Sequence, residues 1–194
     1  MFLKYGYVPT SFSDTVLIPL LKDKNKNLSD VNNYRAIALS NSMTKDIWNI
    51  IMRVHCLCRW NWYIYQFGFK KEHSTATCTY TLKQVVDYYR RNGSHVFASF
   101  IDFSKAFDLV DYWLLFSELL DSKPTTECFM ATRVLAFWYS HQSSVVRWQS
   151  VFSSSFSISN GVRQGGILSP FLFRFYIHKL IHKLTQSGIG LHDE

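Results

Sequence analysis

The sequence predicts an α+β fold, built as one moderate domain or two small lobes. Segments with the alternating pattern of strands are mixed along the chain with segments that repeat their apolar residues at helical spacing. The chain has 194 residues, which is long enough to form a hydrophobic core. Its composition, 47% hydrophobic and 18% charged, is typical of a globular protein.

The first predicted element is a hairpin with a long loop. Residues 15–21 and 33–39 have strand character, and the polar, basic loop KDKNKNLSDVN separates them. Proline cannot donate to a strand ladder, so Pro19 predicts that the first strand lies at a sheet edge. A helix should follow Ser42, which suits an N-cap, with this apolar face: Met43, Ile47, Ile50, Ile51, Val54 and Leu57.

The second predicted helix begins near Ser74 or Thr75 and ends at Asn92-Gly93. Its apolar face is Cys78, Leu82, Val85, Val86 and Tyr89. The later elements are a strand over residues 96–101, helices near 112–121 and 126–141, two short strands in VVRWQ and FSISN, and a helix that Ser169 caps, Pro170 begins and Gly188 ends.

Charge and cysteine usage narrow the class of protein. The net charge is +7, which favours an anionic partner without requiring one. The four cysteines, Cys56, Cys58, Cys78 and Cys128, lack the spacing of a zinc site and fall in predicted helices, so we expect buried free thiols. The sequence has neither a signal-peptide pattern nor a run of 18 apolar residues, and an intracellular, soluble protein without a membrane partner is expected.

Carboxylates cluster in the stretch FIDFSKAFDLVD. Asp102 follows the predicted strand, where a carboxylate suits a hard cation such as Mg²⁺ but is more commonly a cap for the next helix. Asp108 and Asp111 are three residues apart and fit structural roles as a cap or first-turn acid.

Two other segments suit phosphate groups. Lys22, Lys24 and Lys26 with Arg35 could bind an anion, although a solvated loop is the commoner meaning of such a run. GVRQGG offers small residues directly before a helix, where a backbone can approach a ligand closely, but it matches neither standard nucleotide-binding motif.

Four blocks together resemble the reverse transcriptases of non-LTR (LINE-type) retrotransposons. NYRAIALSNSMTK is similar to their N-Y-R-P-I-S-L-x-S-x-x-x-K block, and QFGFKKEHST to Q-x-G-F-R-x-x-x-S-T. FIDFSKAFDLVD resembles the first catalytic block, and GVRQGGILSPFLFRFYIHKL resembles the block G-V-x-Q-G-x-x-L-S-P-x-L-F-x-x-Y. The blocks occur in the family's order from about residue 15 to 181. Ala36 and Arg163 stand where the family often has proline.

The resemblance implies RNA-directed DNA polymerase chemistry with an RNA template, a DNA primer and deoxynucleoside triphosphates. It makes Asp102 a catalytic ligand of two Mg²⁺ ions and gives one of them the backbone carbonyl of Phe103. Backbone amides at Lys105 and Ala106 would face the triphosphate, and Phe107 would lie under the sugar.

The same matching extends to the other two blocks. Lys22 and Arg35 would contact the triphosphate, and Gln164 with Gly165 would line the nucleotide pocket. The implied architecture is the right-hand shape of polymerases. Fingers over residues 1–95 are joined to an incomplete palm over residues 96–194, without a thumb.

The family's next block, Y/F-x-D-D, supplies the remaining carboxylates, and this sequence contains no Asp-Asp pair. The resemblance therefore implies at most one weakly held Mg²⁺ and an inactive isolated chain. Three functions remain open: a fragment of a polymerase domain, a non-catalytic RNA- or DNA-binding remnant of a decayed element, or a vestigial product without a partner.

Overall fold

A computed structural model of the chain describes residues 5, 8–9, 12–41, 44–46, 49, 66–70, 72–121 and 125–188. The chain divides into two compact units. The first combines residues 1–60 with 106–176, and the second combines residues 61–105 with 177–194. The mixture of helices and strands confirms the α+β class, whereas the division into fingers and palm at residue 95 stays a prediction.

The first unit contains a sheet in the order β2-β1-β3-β4, with β5 also paired to β3. The strands are β1 (Asp14–Leu21), β2 (Tyr34–Leu39), β3 (Ser143–Trp148), β4 (Val151–Phe152) and β5 (Phe156–Ser157). β1 and β2 form the predicted antiparallel hairpin, whereas β3 runs parallel to β1. The two short strands predicted in VVRWQ and FSISN are therefore present, as β3 and β5.

The position of Pro19 corrects one prediction. β1 is an inner strand of the sheet, not an edge strand. Its pairing with β3 covers Asp14 to Leu17 only, so Pro19 lies beyond the end of that ladder. The missing N–H therefore interrupts no bond to β3, which explains how an inner strand accommodates a proline.

Three helices of the first unit form its core. They are α2 (Tyr112–Asp121), α3 (Thr126–Ser140) and α4 (Ser169–Tyr176). Asp111 begins α2 as expected, because its Oδ1 accepts a hydrogen bond from the Leu114 N–H at 2.9 Å. The most deeply buried large side chains are Leu115, Val134, Leu135, Trp138 and Leu172.

The second unit contains α1 (Thr75–Arg91) and α5 (His178–Gln186). Ser74 caps α1 as predicted, since its hydroxyl accepts a bond from the Thr77 N–H. No side chain of α1 is fully buried, but Val85, Val86 and Tyr89 of its apolar face are half-buried. The predicted final helix is interrupted at Ile177 and becomes α4 and α5.

The predicted strand over residues 96–101 is also wrong. This segment is irregular, and Phe97 is 94% exposed and Phe100 82% exposed. A single extended segment has no ladder of its own, so an apolar run becomes a strand only where another strand pairs with it. Among the described residues none does.

Several other predictions concern residues that are partly or wholly outside the described ranges. Of the helix predicted after Ser42, only residues 44–46 and 49 are described, and these are helical. Cys78 is exposed and Cys128 half-buried, which contradicts the expectation of buried thiols at Cys78. Cys56 and Cys58 lie outside the described residues.

No helix in the described part of the chain is both long and apolar enough to cross a membrane.

Candidate functional site

The loop of residues 161–166 is held between two distant parts of the first unit. Its Gly161 N–H donates to the Val110 carbonyl at 2.8 Å, and its Val162 N–H donates to the Phe107 carbonyl at 2.7 Å. On the other side, the Gln164 carbonyl accepts a bond from the Ala38 N–H of β2 at 2.7 Å. The loop therefore connects the hairpin to the turn that follows the acidic stretch.

Two glycines of this loop occupy positions that other residues fit poorly. Gly161 and Gly165 have φ angles of +90° and +94°, in the left-handed region that side chains disfavour. A Cβ on Gly161 would lie 2.8 Å from the Asp108 carbonyl oxygen. A Cβ on Gly165 would lie 3.3 Å from Cγ2 of Ile37. GVRQGG thus needs small residues for contact with its own chain as well as for any ligand.

Gln164 and Asp108 form a direct side-chain contact. The Gln164 amide nitrogen donates to Asp108 Oδ1 at 3.1 Å. Asp108 thereby fixes the orientation of the Gln164 side chain, and its backbone contacts Gly161. This arrangement supports the structural role that the sequence indicates for Asp108.

Arg163 is the main connection of the loop to the rest of the first unit. Its Nε donates to Gln142 Oε1 at 3.2 Å, its Nη1 to Ser40 Oγ at 3.3 Å, and its Nη2 to the Ser13 carbonyl at 2.9 Å. The guanidinium also lies 5.7 Å from the ring centre of the buried Trp138. The family resemblance identifies Arg163 only as a position where the family often has proline. Sequence reasoning therefore missed its role in connecting the loop to the rest of the first unit.

Burial governs the ionisation of the groups around Arg163. Burial lowers the pKa of the guanidinium itself, against the opposing influence of nearby Tyr139, Tyr112 and Asp14. Burial also raises the pKa of the Tyr139 hydroxyl to about 12. The pKa of Tyr112, which accepts a hydrogen bond from Gln142, rises too, mainly through burial. Both tyrosine hydroxyls are therefore neutral at neutral pH beside the Arg163 cation.

The hairpin presents its cations on one face. Arg35 pairs with Leu20, and the Lys22 N–H donates to the Asn33 carbonyl two residues further along the hairpin. Because side chains alternate along a strand, Lys22, Arg35 and Ile37 share a face. Lys22 and Arg35 are both exposed, and the Lys22 ammonium donates to the Asn32 carbonyl at 2.7 Å.

Gly165 lies beside this face, because the Ile37 side chain contacts it. The structure therefore places Gly165 next to the strand that carries Arg35, although the two come from distant segments, and the Gln164 side chain meets Asp108 beside the other face of that strand. Arginine provides a planar fork and lysine a point charge, both suited to phosphate oxygens. We call Lys22, Arg35, Ile37 and Gly165 the hairpin face.

Two cavities flank the loop on opposite faces of β2. One, of about 150 Å³, contacts Ile37, Leu39, Arg163 and Ser169, among others. The other, of about 260 Å³, contacts Ala36, Ala38, Asp108 and Gln142, among others. Both are below the roughly 300–1,000 Å³ of typical ligand pockets, so neither encloses a whole nucleotide. The first opens beside Ile37 and Gly165 of the hairpin face.

Ala106 and Phe107 also belong to the first unit and are half-buried. The Phe107 ring lies 5.0 Å from the ring of Phe173 on α4, measured between ring centres. Its carbonyl accepts the bond from Val162 described above. The backbone that precedes Asp108 is therefore fixed against both α4 and the glycine loop.

Asp102, Phe103 and Lys105 belong to the second unit and are exposed. Asp102 lies in the irregular segment that precedes the turn over residues 104–109. Lys105 has a φ of +54°, which is uncommon for a residue with a side chain and typical of a tight turn.

The carboxylates of the described residues do not fit a two-metal centre. Among these residues no group of three or more His, Cys, Asp or Glu side chains could hold a metal ion. Two neighbouring Mg²⁺ ions require several carboxylate oxygens to offset their mutual repulsion. In the described part of the chain Asp102 thus belongs to no such group of ligands, and we derive no catalytic step through a metal.

Sequence comparison defines the class to which this fold and site belong. The profile of the family "Reverse transcriptase (RNA-dependent DNA polymerase)" matches residues 22–192, most of the chain. The chain therefore belongs to the reverse transcriptase family, whose members generally use divalent metal ions and act on nucleic-acid templates and nucleotides.

A particular relative is the "Putative 115 kDa protein in type-1 retrotransposable element R1DM" of Drosophila melanogaster. The two sequences are 26% identical over 190 residues, which cover 94% of this chain and 17% of the relative. The chain thus spans about a sixth of the length of that protein.

Proposed function

We propose that this chain is part of the polymerase domain of a non-LTR retrotransposon reverse transcriptase and that its hairpin face binds the incoming deoxynucleoside triphosphate. The observation that carries the proposal is the joining of two family blocks: Gly165, from GVRQGG, contacts Ile37, two residues after Arg35. The similarity to a retrotransposon protein supports the proposed origin of this chain in such an element.

In this proposal Arg35 and Lys22 bind the triphosphate oxygens, and Gly165 lets the backbone lie close to the nucleotide. The Gln164 backbone contributes to the same site, since its carbonyl accepts the Ala38 N–H, while its side chain is held by Asp108 beside the cavity on the other face of β2. Phe107 lies beneath the sugar, and the amides of Lys105 and Ala106 contribute to phosphate binding. Asp102 and the Phe103 carbonyl would be the ligands that this chain offers to a Mg²⁺ ion, and they would hold at most one ion weakly.

Nucleotide binding tests the hairpin face directly. The affinity for a fluorescent deoxynucleoside triphosphate is measured by anisotropy for the unmodified chain, Arg35→Ala and Arg133→Ala. Arg133 is an exposed arginine on α3 of the same unit and is therefore a matched control. We expect Arg35→Ala to weaken binding about tenfold or more, as loss of a charge-assisted hydrogen bond does, and Arg133→Ala to leave it unchanged.

The proposal is wrong if no saturable binding occurs, or if the two variants weaken binding equally. Primer extension on an RNA template tests the metal site separately. With Mg²⁺ and deoxynucleotides we expect no extension by residues 1–194, because Asp102 is the single candidate carboxylate. Extension that disappears in Asp102→Asn would contradict this and show that the chain holds a complete site.

A further inference from the structure

Two histidines stand about one helical turn apart in the second unit. They are His178 and His182, and both belong to α5. Residues four apart on an α-helix lie on the same face, with about 5–6 Å between their Cβ atoms. The two imidazoles can therefore reach one ion placed between them. A histidine pair at this spacing on one helix face is also the arrangement with which zinc proteases hold their metal.

The histidine pair is on the less exposed side of α5. His178 and His182 are half-buried, whereas Lys179 and Lys183, each one position further along, are exposed. Partial burial restricts the rotamers of the imidazoles, so less side-chain entropy is lost when they bind an ion. It also leaves both rings accessible to water. The lysine ammonium groups end flexible four-carbon chains and can extend away from an ion held by the pair.

The two imidazoles also lie within electrostatic reach of each other. Burial lowers the pKa of His178, and His182 lowers it further. Two protonated rings side by side would repel each other, whereas two neutral rings each offer a lone pair to a metal ion. The surroundings of His178 therefore favour the neutral form that binds metals.

The donor atoms decide which metal ions fit. Imidazole nitrogen suits Zn²⁺ and neighbouring ions such as Cu²⁺ and Ni²⁺, whereas Mg²⁺ prefers oxygen ligands. Among the described residues no third His, Cys, Asp or Glu extends the pair into a larger group. Two protein ligands and two water molecules would give Zn²⁺ its usual four ligands.

A bound ion would stabilise α5 itself. The helix has nine residues, and isolated helices of this length are marginal in water. Ile177, the residue before it, provides no side-chain hydrogen bond to its first turn. The two imidazoles converge on one ion only while the intervening residues are helical. Binding would therefore favour the helical conformation of residues 178–182.

We propose that His178 and His182 form a zinc-binding site whose occupation stabilises α5. Because Zn²⁺ binds the pair in the helix and not in the unwound segment, its binding free energy adds to the stability of the helix. The site does not depend on the nucleotide-binding role of the hairpin face. Its nitrogen donors also distinguish it from Asp102, whose carboxylate suits Mg²⁺.

Calorimetric titration of Zn²⁺ into the untagged chain tests the site. His178→Ala and His182→Ala are compared with His95→Ala, which removes an exposed histidine of the same unit. We expect each of the first two variants to weaken binding about tenfold or more, since one of two protein ligands is lost, and His95→Ala to leave it unchanged. Excess Mg²⁺ should not displace the Zn²⁺.

Exchange of two neighbouring residues tests the geometry at constant composition and charge. His182→Lys combined with Lys183→His places the second histidine five residues after His178, away from the shared face. We expect the same loss of affinity as in His182→Ala. Circular dichroism and urea unfolding without Zn²⁺ establish that each variant keeps the fold. Full affinity in the exchange variant would overturn the proposal, and so would equal affinity in His178→Ala and His95→Ala.

Hydrogen exchange provides a readout that Zn²⁺ bound elsewhere would not change. Zn²⁺ should slow amide exchange over residues 178–186 in the unmodified chain and not in the exchange variant, because chelation favours the hydrogen-bonded helix. Binding without this protection would show that occupation does not stabilise α5, against the proposal. Failure of the proposed function is distinguishable, because it appears as loss of the Arg35 effect on nucleotide binding, which His178→Ala should leave intact.

Discussion

Replacement of Gly161 by alanine would place a methyl carbon 2.8 Å from the Asp108 carbonyl oxygen. The φ of +90° adds a conformational cost of about 1–2 kcal/mol for a residue with a side chain. The close atom belongs to backbone, so the clash is relieved only if the loop moves away. That movement would weaken the bonds from Gly161 to Val110 and from Val162 to Phe107, each contributing about 0.5–1.5 kcal/mol.

The expected loss in unfolding free energy for Gly161→Ala is therefore about 2–5 kcal/mol. Gly165→Ala is the matched control, because Gly165 has nearly the same φ in the same loop. Its nearest neighbour is the end of the Ile37 side chain at 3.3 Å, which can move. We expect Gly165→Ala to lose only about 1–2 kcal/mol. Urea unfolding followed by tryptophan fluorescence measures both, and equal losses would refute the steric argument.

Two further predictions concern the cluster around Arg163. Arg163→Lys keeps the charge but loses the fork that reaches Gln142, Ser40 and Ser13, so we expect about 1–3 kcal/mol of destabilisation in urea; an unchanged midpoint would contradict this. The pKa of Tyr139 rises from 10.0 in the unfolded chain to about 12 when folded. Its contribution to stability is therefore complete below about pH 10 and is lost as the pH rises towards 12. Tyr139→Phe should flatten the fall in stability between about pH 10 and pH 12, and an unchanged slope would exclude Tyr139 as its cause.

Local patterns predicted the elements that local interactions determine. The β1–β2 hairpin follows from alternation on either side of a polar loop, and Asp111 and Ser74 cap their helices as their sequence positions indicate. The prediction of a strand over residues 96–101 was wrong because apolar content alone cannot supply a partner strand. Periodicity predicted α1 correctly, but it does not say how far the apolar face of a helix is covered, and no residue of α1 is fully buried.

The candidate site was predictable only through family resemblance. Spacing alone left Lys22 in what is most commonly a solvated loop, distinguished Arg35 only by its position inside an apolar strand, and left GVRQGG as a weak motif. The contact between Gly165 and Ile37 joins residues more than a hundred positions apart in sequence, which no local pattern encodes. Resemblance identified both segments, and the structure shows how β2 and the glycine loop meet.

Arg163 shows why a departure from a family pattern needs a structure before its effect is judged. Proline at this position would stiffen the turn but could make none of the three hydrogen bonds that Arg163 donates. Two of those bonds reach Ser13 and Ser40, which flank the hairpin, and the third reaches Gln142 before β3. Because Gln164 and Gly165 follow directly in the chain, the same arginine that joins these segments also sets where the glycine loop meets the hairpin face. The substitution therefore replaces local stiffness with long-range hydrogen bonds at the point where the proposed nucleotide site is assembled.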